Sequence, residues 1–430
     1  MVRVVLEGRG WRRSLGARDP FLIIRSFRPG KSQIEEGGRT RSVASDPFKL
    51  LEEALWSFRP GEVVAVGYLS YDFGLSLLSR PSGSSFPWPP PPDRAEEKGT
   101  AWALFWAEGA FAGTVFRVNG AEVAGDVFRA TDTEGEIDRR FARTVFRPNG
   151  GAEGGWERDR ESFARLVEEA REHIGAGEVY VINLSRRWEG SFAGNPARIY
   201  GRLRKLNPEP FRAYWEEEGF ALALASPELF LRLRGRRVLT RPIKGTLPRE
   251  EDPGRLLADP KERAELLMVV DLERNDLGRV CLPGTVRVSK LYEVEPFSRV
   301  WHLVATVEGV LEPEAGLGEL IRSVFPGGSV TGAPKVRACE LIAGLEGRGR
   351  GLYTGAFGWL ARGKGGLEGE LAMVIRTLFF RPGRIFFYTG VGVTWDSCPE
   401  KEAEETEWKA RGLWEAAGRP LLAPLGRRGS

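Results

Sequence analysis

Histidine is almost missing from this chain: His173 and His302 are the two in 430 residues, beside three cysteines and one glutamine, Gln33. The cysteines, Cys281, Cys339 and Cys398, are odd in number, far apart and without a Cys-x-x-Cys pair. That excludes a disulfide framework and a paired-cysteine zinc site, and it suits a reducing, cytoplasmic setting. No stretch supplies the roughly 20 uninterrupted apolar residues of a membrane helix. The first residues reach Arg3, Arg9, Arg12 and Arg13 without the apolar segment of an export signal. Neither insertion nor export is expected. A strong excess of one charge is lacking too, since 63 basic residues are interspersed with 59 acidic ones for a net +4. Without a basic run or a ladder of basic and aromatic residues, nucleic acid is not an expected partner. A small anionic substrate is compatible with this balance.

What is present suffices for a sizeable core, at 42% hydrophobic and 28% charged residues over a length that fits one large or two ordinary domains. Residues 1–150 read as an N-terminal part made of short strands, with one helix near Pro47–Phe58. Within it, Val63-Val-Ala-Val-Gly-Tyr-Leu-Ser-Tyr-Asp-Phe-Gly74 reads as a buried strand closed by a glycine-bounded turn. The segment Pro81–Lys98 reads as a polyproline-like surface loop. The glycine-dense stretch Arg147-Pro-Asn-Gly-Gly-Ala-Glu-Gly-Gly155 marks a boundary, followed by a second part over 156–417 and a tail over 418–430.

In the second part, Phe163, Leu166, Val167, Ala170 and Ile174 recur at helical spacing and predict a helix over Glu161–Ile174, with His173 off the apolar stripe and exposed. Strands are expected at Val179–Trp188, Phe220–Leu224, Leu229–Leu233, Val238–Arg241, Leu371–Phe380 and Ile385–Tyr388. Asp259-Pro-Lys-Glu262 carries a cap, a first-turn proline and a third-position glutamate, so a helix should run from there to near Gly278. Another starts at Pro399 and continues towards Glu415. Strands and helices without regular alternation predict an α+β fold rather than a doubly wound parallel sheet.

Three features can carry chemistry. In Arg241-Pro-Ile-Lys-Gly-Thr246 a proline stiffens the approach to Lys244, and Gly245 lets backbone come close to a ligand. The hexapeptide is equally a turn with a surface lysine. Glu262 and Glu265 share one helical face, as do Glu402 and Glu405. Such pairs are either solvated surface or the oxygen ligands of a hard cation. Lys409, four residues beyond Glu405, is either an ordinary helical ion-pair partner or a cation beside such a metal. Finally, Gly390-Val-Gly392 follows a strand and either bends the backbone or aims N–H groups at a carboxylate. The run Phe325-Pro-Gly-Gly-Ser-Val-Thr-Gly-Ala-Pro-Lys335 lacks the Gly-Lys-Ser/Thr of a nucleotide-binding loop.

Taken together, Ser226-Pro-Glu-Leu-Phe230, Pro242-Ile-Lys-Gly-Thr246, Lys261-Glu-Arg-Ala-Glu265, Val270-Asp-Leu-Glu-Arg-Asn-Asp-Leu-Gly-Arg279, His302-Leu-Val-Ala-Thr-Val-Glu-Gly309, Phe325–Lys335, Ile375-Arg-Thr377 and Gly390–Lys409 resemble the chorismate-utilising enzymes in order and spacing. The likeness covers roughly Glu161–Leu413. It implies two large, mostly antiparallel β-sheets packed face to face with helices outside. It implies Mg²⁺ held by Glu265 and Glu405, with Glu262 and Glu402 directly or through water. Glu228 would be the general acid and His302 a neighbour of the substrate ring. Thr246, Ser329, Tyr353, Arg376, Lys409, Gly390 and Gly392 would hold the two carboxylates of chorismate.

Lys244 stands where anthranilate-forming members usually carry alanine, and so resembles the aminodeoxychorismate-forming branch, in which this lysine adds covalently to the ring. The rival branch is anthranilate synthesis, and a rival of another class is a non-catalytic chorismate-binding subunit. Val181 replaces the lysine found in members that deliver water to the ring, which speaks against isochorismate formation. Cys398 replaces the usual acidic cap of the last helix, and Arg25 and Arg212 depart from the residues of a tryptophan pocket. Releasing ammonia from glutamine takes a cysteine activated by histidine. With His302 assigned to the ring and no cysteine near His173 in sequence, ammonia is expected from a separate glutamine amidotransferase subunit.

Overall fold

Antiparallel pairing organises the chain. The computed structural model describes residues 155–418 without a break and, ahead of them, 3–7, 15–18, 22–28, 31–37, 39–60, 62–75, 77–78, 100–106, 116–118 and 121–123. An eight-stranded sheet runs in the order Gly332–Ala333, Val181–Ser191, Arg384–Val393, Thr377–Arg381, Phe220–Ser226, Phe211–Glu217, Arg3–Glu7, Leu15–Arg18. A 12-stranded sheet runs Ile243–Pro248, Val300–Val310, Arg237–Arg241, Leu229–Arg234, Gly366–Met373, Ala356–Gly363, Val63–Leu69, Thr100–Trp106, Leu22–Arg28, Lys31–Glu36, Arg39–Val43, with Arg287–Pro296 also paired to Val300–Val310. Strands from the N-terminal part thus extend both sheets. The boundary stretch expected at 147–155 lies outside the described residues except for Gly155, as does the Pro81–Lys98 loop.

The period-two geometry of a strand explains the layers. Along Val63–Leu69, Val64, Val66 and Tyr68 face the other sheet, where they meet Trp215, Leu222 and Phe379. Val63, Ala65 and Leu69 face the opposite way, into a core closed by Phe48 and Leu51 of helix Pro47–Trp56, Leu266 and Val270 of helix Pro260–Gly278, and Leu320 of helix Leu317–Val324. Both faces of this strand are covered, so it reads as an unbroken apolar run. Tyr68 packs edge-on against Trp215, ring centroids 5.6 Å apart. Helices Arg160–Gly175, Pro196–Leu206, Lys335–Glu346 and Pro399–Ala417 cover the outer face of the eight-stranded sheet. The expected α+β arrangement of two face-to-face antiparallel sheets is what the chain adopts. Among the described residues no helix is long and apolar enough to cross a membrane.

Helix starts follow their caps. The Asp259 carboxylate accepts from the N–H groups of Lys261 at 2.9 Å and Glu262 at 3.3 Å. Cys398 makes no such side-chain cap for helix Pro399–Ala417.

Four expectations need correction. The turn after Val63–Leu69 is a short helix, Tyr71–Leu75, begun where Ser70 Oγ accepts from the N–H of Phe73 at 3.1 Å. Helices Pro196–Leu206, Leu317–Val324 and Lys335–Glu346 were not anticipated; the last begins at Lys335, the end of the glycine-rich run. His173 is half-buried, with Nδ1 2.9 Å from Glu178 Oε1. The expected strand Leu371–Phe380 is two strands in different sheets, Gly366–Met373 and Thr377–Arg381. An apolar run shows that a segment is buried, but not that it stays in one sheet.

That last difference shapes the site. Strand Phe220–Ser226 belongs to one sheet and Leu229–Arg234 to the other, so the chain crosses between sheets at Pro227 and Glu228. It crosses again at 374–376, beside the first crossing, because Leu224 pairs with Thr377 in one sheet and Leu229 with Ala372 in the other. Glu228 and Arg376 therefore sit at two adjacent corners.

Candidate active site

A cavity of about 850 Å³ opens at these corners, and every site residue expected from the sequence lines it. The corners supply Glu228 and Arg376. Arg376 has a positive φ of 53°, and its Nη1 donates to the carbonyl of Lys409 at 3.1 Å. A left-handed residue turns the chain sharply at little length, at a cost of about 1 kcal/mol or more for a side chain with a Cβ. Strand Ile243–Pro248 supplies Lys244 and Thr246, and its neighbour Val300–Val310 supplies His302. Strand Arg384–Val393 supplies Gly390 and Gly392. Helices Pro260–Gly278 and Pro399–Ala417 bring the four glutamates and Lys409.

Lys244 is held where little else fits. A Cβ on Gly392 would stand 3.2 Å from Lys244 Nζ and 3.9 Å from Glu265 Oε2, so glycine leaves the space that the end of this side chain occupies. Lys244 also acts electrostatically on Glu228 and Glu405. Glu228 is 5% exposed. Burial pushes its carboxyl up to about 7, against the hydrogen bond that Ser329 Oγ donates to Oε1 and the pull of Lys244. A carboxyl in that range keeps a proton to give at neutral pH.

His302 is a neutral ring. Burial first, and then the Arg376 and Lys409 cations, hold it at about 4, although a hydrogen bond to Gly245 works the other way. Its Nδ1 lies 2.6 Å from the Gly245 carbonyl oxygen, which can only accept, so the proton is on Nδ1 and Nε2 is left as an acceptor. Thr246 Oγ1 is 3.4 Å from the same nitrogen. Tyr353 stacks on Tyr388 with centroids 4.9 Å apart. A Cβ on Gly390 would come within 2.8 Å of the Tyr353 hydroxyl. Lys409 Nζ donates to the Gly390 carbonyl at 2.8 Å.

The glutamates crowd one another. Burial, then the charges of Glu265, Asp259 and Glu405, push Glu262 up to about 7, and burial with Glu405 raises Glu402. Burial opposes the charge on Glu405 as well, but Lys409, 2.8 Å from its Oε1, with Lys244 and Lys261, brings that group below its ordinary value. Oxygen donors under mutual repulsion fit a hard divalent cation. Among the described residues no three acidic, histidine or cysteine side chains form a metal cage by themselves. Mg²⁺ does not require one, since it commonly takes one or two carboxylates and completes its shell with water and substrate.

Three buried charged groups near the cavity were not singled out from the sequence. Arg350 lines it and bonds to the carbonyls of Asn183 at 2.7 Å and Val330 at 3.0 Å, with Glu346 as its counter-ion. Asp72 accepts from the backbone N–H groups of Arg350 and Gly351 at 3.0 and 2.9 Å. Glu273 lies on the inner face of helix Pro260–Gly278. Asp72 and Glu273 sit in stretches noted for their pattern and Arg350 in none, and single-residue burial has no signature in a motif.

Comparison with known proteins points the same way as this geometry. The family described as chorismate binding enzyme matches residues 4–415. The aminodeoxychorismate synthase component 1 of Bacillus subtilis (strain 168) is 34% identical, over 96% of this chain and 91% of that protein. The anthranilate synthase component 1 of Aquifex aeolicus (strain VF5) is 43% identical, over 60% of this chain and 53% of its own length, so the alignment spans about half of that relative. The crystal structure of anthranilate synthase component I from Streptococcus pneumoniae TIGR4 superposes with a TM-score of 0.69, covering 95% of this chain and 91% of that one at 27% identity. A match from the first strand to the last helix, on the same two-sheet fold, makes this chain a member of the chorismate binding enzymes.

Proposed function

We propose that this chain is the ring-aminating component of an aminodeoxychorismate synthase, converting chorismate and ammonia to 4-amino-4-deoxychorismate on the way to 4-aminobenzoate and folate. The observation that carries the reading is Lys244, aimed past Gly392 into the cavity between Glu228 and the glutamate cluster. The full-length likeness to a relative of that name supports it.

Arg376, Tyr353, Lys409, Thr246, Ser329 and the backbone at Gly390 and Gly392 would hold the two carboxylates of chorismate, the planar guanidinium gripping one of them in a fork. The free amine of Lys244 forms a bond to ring C2, the ring double bonds shift, and the C4–O bond breaks. Glu228 gives its proton to the departing oxygen, which leaves as water. Ammonia then bonds to C4, the C2–N bond breaks to return Lys244, and the surplus proton on the new amine goes back to Glu228. His302 stays neutral beside the ring. Glu265 and Glu405, with Glu262 and Glu402, would hold Mg²⁺, whose chemistry is to neutralise a substrate carboxylate. The enolpyruvyl group is retained, so a lyase must act on the product.

A second reading, anthranilate synthesis, is favoured by the 43% identity across the catalytic part. Incubating the chain with chorismate, Mg²⁺ and excess ammonium salt near neutral pH, where Glu228 keeps a proton, separates the two. Mass and fluorescence analysis should find aminodeoxychorismate; fluorescent anthranilate as the product would overturn the proposal, and no turnover would favour a non-catalytic subunit.

A further inference from the structure

Behind Glu228 lies a second buried carboxyl. Glu273 is 7% exposed and sits on the inward face of helix Pro260–Gly278 with Val269, Val270 and Asp276. Thr240 Oγ1 donates to its Oε2 at 2.8 Å. A Cβ on Gly328 would stand 3.6 Å from Glu273 Cγ, and the next residue, Ser329, donates its hydroxyl to Glu228. The two acids thus flank one short turn, Gly328–Val330. Glu273 does not line the cavity, so it cannot meet substrate directly.

Among the described residues no cation is dedicated to it. The charges that reach Glu273 are Glu228 at the sheet crossing, Asp276 one turn along the same helix, and Lys335 at the start of helix Lys335–Glu346. Lys335 is already committed, since its Nζ bonds to Asp276 Oδ2 and to the Val324 carbonyl. Two neighbouring carboxyls in a low-dielectric interior, with Lys244 drawing on Glu228 and no cation committed to Glu273, do not readily ionise together.

We propose that Glu273 is a positioning residue for the acid step, holding its own proton so that Glu228 can give one up. This rests on the reading of Glu228 as general acid. When Glu228 protonates the departing oxygen it becomes a buried anion, and a neutral Glu273 beside it adds no repulsion. An ionised Glu273 would oppose that new charge and hold the proton on Glu228. Burial pushes both carboxyls up, and the charge of Glu228 adds to the rise at Glu273.

The test is the alkaline limb of kcat/KM for chorismate, measured with free ammonia held constant, in wild type and in Glu273→Gln. Glutamine has the shape of the protonated acid, can still accept from Thr240 and cannot ionise. If activity needs both acid protons, the wild-type limb falls about tenfold more per pH unit than the variant limb above both titrations, since the free amine required of Lys244 affects both alike. Glu273→Met, of similar length and without a titrating group, is the second variant, and its limb should be as shallow as that of Glu273→Gln. A variant limb as steep as wild type contradicts the proposal, since it would mean that the second proton belongs elsewhere. A wild type that makes no aminated product at any pH would overturn the reading of Lys244 and Glu228 themselves, and this inference with it.

Discussion

Burial at Glu228 gives the residue its chemistry and charges the fold for it. The folded protein keeps a proton on this carboxyl up to about 7, whereas an unfolded chain releases it near 4.5. Stability from the retained proton is complete below the lower value and is lost as pH rises through the higher one. At about 1.4 kcal/mol per pKa unit the loss is about 3 kcal/mol. Glu228→Gln does not titrate, so its stability relative to wild type should rise by about that amount between pH 4 and pH 8 in denaturant unfolding. A difference that stays constant across that range would mean that Glu228 is not held protonated. At the other side of the cavity, Glu265→Gln and Glu405→Gln each remove a charged oxygen. Each should raise the Mg²⁺ needed for half-maximal turnover by about tenfold or more, the scale on which even outer partners of a metal site act. If both variants titrate with Mg²⁺ as wild type does, these glutamates are not the ligands.

Among the elements, strand Arg384–Val393 and the two sheet crossings do most to fix the geometry. Gly392 gives Lys244 its room, and a methyl at that position would stand 3.2 Å from Nζ. Backbone can stay as it is while the lysine end shifts, so Gly392→Ala should fold normally and lose kcat, by about tenfold for each 1.4 kcal/mol of misplacement, with KM for chorismate less affected. Wild-type kcat in that variant would show that the close approach has no bearing on Lys244. The site residues named from the sequence were legible because all but Tyr353 belong to a short ordered motif. The cap at Asp259 and the first-turn proline Pro399 announced the two helices that carry the glutamates. The crossing at Arg376 was not legible, because Leu371–Phe380 is apolar except for Arg376 and Thr377, and nothing in such a run says that its halves belong to different sheets. Glu273 was hidden by the polar residues around it in Asp271-Leu-Glu-Arg-Asn-Asp276, which read as a solvated face, yet its spacing from Val269, Val270 and Leu277 turns it inward. Asp72 and Arg350 meet only through tertiary contact, at a separation no local pattern encodes.

At the scale of the whole molecule, the described residues hold no means of releasing ammonia from glutamine. His302 is turned to Gly245 and His173 to Glu178. Burial pushes the thiols of Cys281 and Cys339 up to about 11, away from the thiolate a nucleophile needs, and Cys398 Sγ donates to Glu400 Oε2 at 3.3 Å rather than to either histidine. Purified chain should therefore turn over chorismate with ammonium and not with glutamine, until a separate glutaminase subunit is added; glutamine-dependent turnover by the chain alone would contradict this. The central claim, that Lys244 adds to the ring, is tested most directly by withholding ammonia. Protein mixed with chorismate and Mg²⁺ and then quenched should gain the mass of chorismate less one water, on the peptide that contains Lys244, and Lys244→Ala should gain nothing and lose nearly all aminodeoxychorismate formation. An aminated product formed by Lys244→Ala at the wild-type rate, with no adduct on the wild-type chain, would contradict the account.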